Sequence, residues 1–137
     1  MSANTNSSGA QGQQLCADFH GCRAALDDEE FVKALALEAA QLAKVTVLHE
    51  HTHQFSPHGL STVLVLAESH LAIHTWPEHG FLSLDLFSCA DHLPCGEVIE
   101  LFQARLESET TSSRVLQRGD LNMRGSVHIQ ETPQETH

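Results

Sequence analysis

The chain predicts an α+β fold, a two-layer sandwich with a mainly antiparallel sheet, helices on one sheet face, and the other face covered in a dimer. Three observations carry that prediction. Two stretches, around Leu35 and Leu101, repeat apolar residues at helical spacing, whereas the rest of the central chain alternates with a period of two or runs apolar for a few residues. The order is strand, helix, several strands, helix, strand, with connections short enough for antiparallel neighbours. The runs around Val63 and Leu84 look apolar on both faces, so the sheet needs a second cover, and another copy of the protein is the economical one.

Residues 1–11 are Ser, Asn, Gly and Gln with almost no apolar residue, and are expected to form a disordered tail. From Gln14, Leu15, Ala17 and Phe19 alternate with Cys16, Asp18 and His20, a half-buried strand closing at Gly21. Asp27 with Glu30 makes a capping box, after which Phe31, Leu35, Ala39 and Leu42 mark a helix up to Lys44. Val45 to His49 opens a strand that runs through His51, His53 and Phe55 into the turn Ser56-Pro57-His58-Gly59. Ser61 to Ala67 contains the unbroken run Val63, Leu64, Val65, Leu66, the pattern of a strand buried on both faces.

The next extended segment carries Ser69, Leu71 and Ile73 on one face and His70, Ala72 and His74 on the other, and ends at Pro77. Polar groups on both faces of a strand suit the lining of a cavity or an interface. Phe81 to Phe87 alternates again, Leu82, Leu84 and Leu86 against Phe81, Ser83, Asp85 and Phe87. Pro94 suits the first turn of a second helix with Val98, Leu101, Phe102, Arg105 and Leu106 as its stripe. Thr111 to Gln117 returns as a last strand, and 120–137 reads as a flexible tail, leaving 12–119 as the domain.

Composition narrows the function. With 18 acidic residues against 7 basic ones and a net charge of -11, the chain lacks the clustered Lys and Arg that a phosphate backbone or an anionic membrane requires. No apolar run has the length of a membrane span and the N-terminus has no secretory signature, so a cytoplasmic protein is expected. Cys16, Cys22, Cys89 and Cys95 are read as thiols, Cys16 and Cys22 as small core residues.

Between Glu68 and Cys89 lie a carboxylate, a hydroxyl, two imidazoles, an indole and a thiol. A hydrolase built on Ser69 with His70 or His74 as base lacks the Gly-x-Ser-x-Gly elbow. Cys89 as a nucleophile with His74 lacks an activating helix N-terminus. His49, His51 and His53 point to one strand face, as a zinc site would need, but neither His-Glu-x-x-His nor Cys-x-x-Cys accompanies them, and no metal is expected.

The segment Glu68-Ser69-His70-Leu71-Ala72-Ile73-His74-Thr75-Trp76-Pro77-Glu78 resembles the processing segment of the bacterial and archaeal S-adenosylmethionine decarboxylase proenzymes. His53-Gln54-Phe55-Ser56-Pro57-His58-Gly59-Leu60-Ser61 is similar to the family's preceding loop, and Leu84-Asp85-Leu86-Phe87-Ser88-Cys89 to the strand ending in its cysteine. The resemblance runs from about Gly12 to Gly119. Two positions depart from it: Ala90, where Gly is common, and Gln14, where His is common.

The resemblance implies self-cleavage between Glu68 and Ser69, with Ser69 converted into a pyruvoyl cofactor. It assigns His74 as proton acceptor in processing and Ser61 as its assistant. The products are a β chain ending at Glu68 and an α chain beginning at the former Ser69, assembled as a homodimer of processed αβ units. The substrate amine then forms a Schiff base with the pyruvoyl, which acts as electron sink, and Cys89 donates the proton that replaces carbon dioxide. Phe55, Trp76 and Glu78 are the matching substrate-binding positions. The implied substrate is S-adenosylmethionine, and the implied role is spermidine biosynthesis. Arginine or ornithine decarboxylation on the same scaffold, or a homologue that binds a ligand without processing, are the alternatives.

Overall fold

A computed structural model of the chain describes residues 10–90, 92–127 and 129–132. The elements follow the order β1 (Gly12–His20), α1 (Glu29–Leu42), β2 (Val47–Gln54), β3 (Leu60–Leu66), β4 (Ser69–Trp76), a 3₁₀ turn at Pro77–His79, β5 (Phe81–Ser88), α2 (Cys95–Leu106) and β6 (Thr110–Arg118). They form one six-stranded sheet in the order β2-β3-β4-β5-β1-β6. Every pairing is antiparallel. β2 to β5 is a meander, in which each strand hydrogen-bonds the one before it. α1 carries the chain from β1 to the far edge at β2, and α2 returns it so that β6 closes on β1.

The alternation seen in the sequence sets which side chains meet the helices. Leu15, Ala17 and Phe19 of β1, Leu64 and Leu66 of β3, Leu71 and Ile73 of β4, and Leu82, Leu84 and Leu86 of β5 are all buried in one core. α1 adds Val32, Leu35, Ala36, Ala39 and Ala40, and α2 adds Val98, Phe102 and Leu106. Small alanines on α1 let the helix lie close to the sheet. Phe19 and Phe102 stack with centroids 5.4 Å apart and join sheet to helix at the centre. Phe102→Ala is therefore expected to destabilise the fold by about 3–5 kcal/mol, read as a lowered urea midpoint with an unchanged slope.

Several expectations are corrected by this packing. The helix cap is Asp28, whose carboxylate accepts from the Glu30 and Phe31 N–H groups, and not Asp27. Asp27 is used elsewhere: its Oδ1 accepts the Gly59 N–H at 2.8 Å and its carbonyl accepts from Gln54 Nε2 at 3.3 Å. The buried stripe of α1 is rotated from the expected one, and Leu42 is 39% exposed. Pro94 occupies the N-cap of α2 instead of its first turn.

β3 is buried on one face only, since Val63 and Val65 are 36% and 44% exposed in the single chain. The cross-strand register puts Val63 and Val65 on the face away from the helices with His51 and His49 of β2, and with Ala72 and His70 of β4. The expected N-terminal tail falls largely on residues 1–9, outside those described, but Ala10 is buried and the Gln11 N–H donates to the Arg118 carbonyl at 2.8 Å. In the expected C-terminal tail the Met123 N–H closes a turn onto the Asp120 carbonyl, and no helix or strand forms among the described residues beyond Arg118.

Candidate active site

β4 carries one group of functional side chains at each end. At its start, the two residues Ala67 and Glu68 link β3 to β4, because Leu66 pairs directly with Ser69. Ser69 has φ +153°, a region that a residue with a Cβ rarely adopts. Such a conformation costs on the order of 1–3 kcal/mol and persists only where the surroundings hold it.

The surroundings here are specific. The Glu68 carbonyl accepts the Cys89 N–H at 3.1 Å, because β5 ends beside it with Ser88 paired to Ser69. The Glu68 carboxylate accepts the Thr46 N–H at 2.9 Å, with the Thr46 hydroxyl at 3.5 Å. The Ser69 hydroxyl lies 3.3 Å from His70 Nδ1. The peptide bond between Glu68 and Ser69 is thus held on both sides, with a hydroxyl and an imidazole beside it and an N–H on its carbonyl oxygen.

At the other end of β4 is a cleft of 510 Å³ lined by Phe55, His58, Ser61, His74, Trp76 and Glu78 among others. Antiparallel pairing places Ser61 directly opposite His74, and their Oγ and Nδ1 are 2.7 Å apart. His58 Nε2 is 2.9 Å from a Glu78 carboxylate oxygen. Trp76 and Phe81 lie ring to ring at 5.0 Å, with His20 stacked on Phe81 at 4.8 Å. Phe55 lines the cleft, 49% exposed and edge-on to His53. The loop bearing Phe55 and His58 is anchored by the Asp27 carboxylate on Gly59, whose φ of +107° suits only glycine.

All eight site residues expected from the sequence fall into these two groups: Glu68, Ser69 and Cys89 at the hairpin, and Phe55, Ser61, His74, Trp76 and Glu78 at the cleft. The structure does not bring His74 to Ser69 within one chain, since they stand five positions apart on one strand, about 16 Å at the usual rise. His58, Thr46 and Asp27 escaped sequence reasoning because their partners lie 20 to 32 residues away. His49, His51 and His53 share an exposed face of the edge strand. Among the described residues, no group of three or more His, Cys, Asp or Glu side chains gathers as a metal ion requires.

The remaining cysteines are set apart by their surroundings. Burial pushes the Cys22 thiol up to about 11 and raises Cys95. Cys16 is raised by burial and then by the Asp85 carboxylate. All three stay protonated and unreactive near neutrality. Gln14 sits on the open sheet face, its amide bonded to Asp85 at 3.4 Å and to Arg118, and Ala90 donates its N–H to the Ser88 hydroxyl at 3.0 Å.

Comparison with known proteins places this arrangement. Residues 13–119 match the S-adenosylmethionine decarboxylase family. An S-adenosylmethionine decarboxylase proenzyme of Acidithiobacillus ferrooxidans is 38% identical over 115 residues, 83% of this chain and 86% of that protein. The corresponding proenzyme of the archaeon Methanococcus maripaludis is 35% identical over 109 residues, 79% of this chain and 89% of its own. The crystal structure of the adenosylmethionine decarboxylase from Aquifex aeolicus superposes with a TM-score of 0.75 at 31% identity, covering 86% of this chain and 98% of that one. By sequence over most of its length and by fold, the chain belongs to the S-adenosylmethionine decarboxylase family.

Proposed function

We propose that the chain is a proenzyme that cleaves itself between Glu68 and Ser69 and then decarboxylates S-adenosylmethionine to S-adenosylmethioninamine and carbon dioxide, for polyamine synthesis. The observation that supports it best is Ser69 itself, a non-glycine residue at φ +153° whose preceding carbonyl is held by the Cys89 N–H. Strain at that bond and a polarised carbonyl are what an intramolecular attack by the Ser69 hydroxyl needs. The residues present therefore suit a pyruvoyl group made from Ser69, which, once formed, supplies the electron sink for loss of carbon dioxide.

The other residues take roles from their positions. Cys89 stands one residue beyond the partner strand of Ser69 and delivers a proton at the reacting carbon. Phe55 and Trp76 offer aromatic faces to an adenine and a sulfonium, and Glu78, oriented by His58, accepts from ribose hydroxyls. Arginine and ornithine have neither ring nor ribose to use them. His74, bonded to Ser61, moves protons during processing.

The two groups must meet for this chemistry, and a homodimer packed through the open sheet face accomplishes it. A two-fold axis across β4 would carry the partner subunit's His74 toward Ser69 and Cys89. It would also cover Val63 and Val65, which the single chain leaves open. The enzyme is then a cytoplasmic homodimer of processed αβ units, with residues 12–119 as its catalytic domain and 1–11 and 120–137 as tails.

Processing and substrate are tested together. The purified protein should give two bands on a denaturing gel, with masses that divide the chain at Glu68 and Ser69. With carboxyl-labelled substrates at equal concentration, carbon dioxide should leave S-adenosylmethionine fastest. A single intact band would leave a ligand-binding homologue without processing. Faster release from arginine or ornithine would overturn the substrate while leaving the cleavage chemistry in place.

A further inference from the structure

We infer that His70 is the base that takes the Ser69 hydroxyl proton in the first step of self-cleavage, within the same chain; the inference rests on the processing reading above. His70 Nδ1 lies 3.3 Å from Ser69 Oγ, whereas His74 is engaged with Ser61 at 2.7 Å and stands five residues along the strand. A base must come within hydrogen-bond reach of the proton it removes, and such contacts tighten from slightly long ones as the reaction proceeds. The remaining parts of an acyl shift lie at the same bond: the Cys89 N–H on the Glu68 carbonyl oxygen at 3.1 Å and the positive φ at Ser69.

The immediate cross-strand neighbours of His70 do not compete for its proton. It is paired with Val65 on β3 and with Phe87 on β5, whose ring is 5.8 Å away. Arg118 lies over the Phe87 ring at 5.4 Å, and Asp85, paired with Ala72, stands further along β5 on the same sheet face. The Glu68 carboxylate, two residues back in the chain, is turned to Thr46.

The step balances without any further reactant. Ser69 Oγ passes its proton to His70 Nδ1 as it bonds to the Glu68 carbonyl carbon, and the Glu68 oxygen takes up negative charge under the Cys89 N–H. Collapse of that oxyanion breaks the Glu68–Ser69 C–N bond, His70 returns the proton to the departing amine, and an ester joins Glu68 to the Ser69 oxygen. Loss of the Ser69 α-proton, with departure of the Glu68 main-chain carboxylate carrying the former Ser69 Oγ, follows as a separate elimination, which the inference leaves to His74 and Ser61. The two imidazoles of this segment thus serve two different steps.

The test follows cleavage of freshly synthesised full-length chain on denaturing gels for the wild type, His70→Ala, His70→Asn and Ser69→Ala. Both His70 variants should cleave about a hundredfold or more slower than wild type, with native circular dichroism. The asparagine variant keeps a polar side chain at the site, so a folding defect of the alanine variant alone does not decide the result. Hydroxylamine, which cuts esters, should release no extra fragment from either variant, because the amide has not shifted. Wild-type cleavage rates in a folded His70 variant, or accumulation of a hydroxylamine-sensitive chain, would remove His70 from the first step. If the wild type stays whole under the same conditions, the processing reading itself fails and the assignment with it.

Discussion

Ser69→Ala leaves a folded, single-chain protein with no decarboxylase activity. On the proposed mechanism the substitution removes the attacking oxygen, which is also the atom that must leave Cβ in the elimination that precedes the cofactor, so neither cleavage nor turnover has a route. The fold tolerates it because the contacts of Ser69 in β4 are backbone pairs with Leu66 and Ser88, and alanine makes the same pairs. The φ of +153° is no harder for alanine than for serine, since both carry one Cβ. Among the described residues, the side-chain bond lost is the long one to His70 at 3.3 Å, worth about 0.5–1 kcal/mol at a half-buried position. A denaturing gel and a urea melt check both halves of the expectation. Two fragments from this variant would end the assignment of Ser69.

Cys89→Ala separates processing from catalysis. Alanine keeps the backbone N–H that holds the Glu68 carbonyl at 3.1 Å, so the chain should still cut itself at close to the wild-type rate. In the proposed mechanism the thiol acts only after substrate is bound, as the donor of the proton that replaces carbon dioxide. Turnover should fall by about 10²–10⁴, the usual worth of a positioned general acid, while the affinity for S-adenosylmethionine stays within a few-fold. Carbon dioxide release from the processed variant, set beside its binding of the substrate, reads the two quantities. Unchanged turnover would take Cys89 out of the reaction. The other cysteines offer no substitute, since burial raises the Cys22 and Cys95 thiols on the helix side of the sheet, and burial with the Asp85 carboxylate raises Cys16 on the other face.

Both variants turn on residues that were visible in the sequence, and so was most of the scaffold that carries them. The alternation of Leu15, Ala17 and Phe19, and again of Leu82, Leu84 and Leu86, marks strands with one buried face, and those side chains form the core. Pro77 ends β4 at Trp76. Within the single chain the continuous run from Val63 to Leu66 is buried on one face only, because an apolar residue on the open sheet face looks in sequence like one facing the helices. Asp27 and Asp28 were interchanged for a related reason. Either could cap α1 locally, and only the position of Gly59, brought over from the loop after β2, draws Asp27 away.

The amino-acid sequence by itself determined the class of the fold, the order of its elements and the segment that resembles the family's processing segment. Each of these follows from local geometry, a period of two or of 3.6 residues and a turn that breaks it, or from a motif contiguous in the chain. Only the tertiary structure decided that β1 lies between β5 and β6, that the Cys89 N–H meets the Glu68 carbonyl, and that Ser69 touches His70 while His74 turns to Ser61 at the far end of the strand. Those facts depend on which strands pair and in what register. Pairing is settled by the burial of a common core, among residues as far apart as Leu15 and Leu86, and no single stretch of sequence contains it.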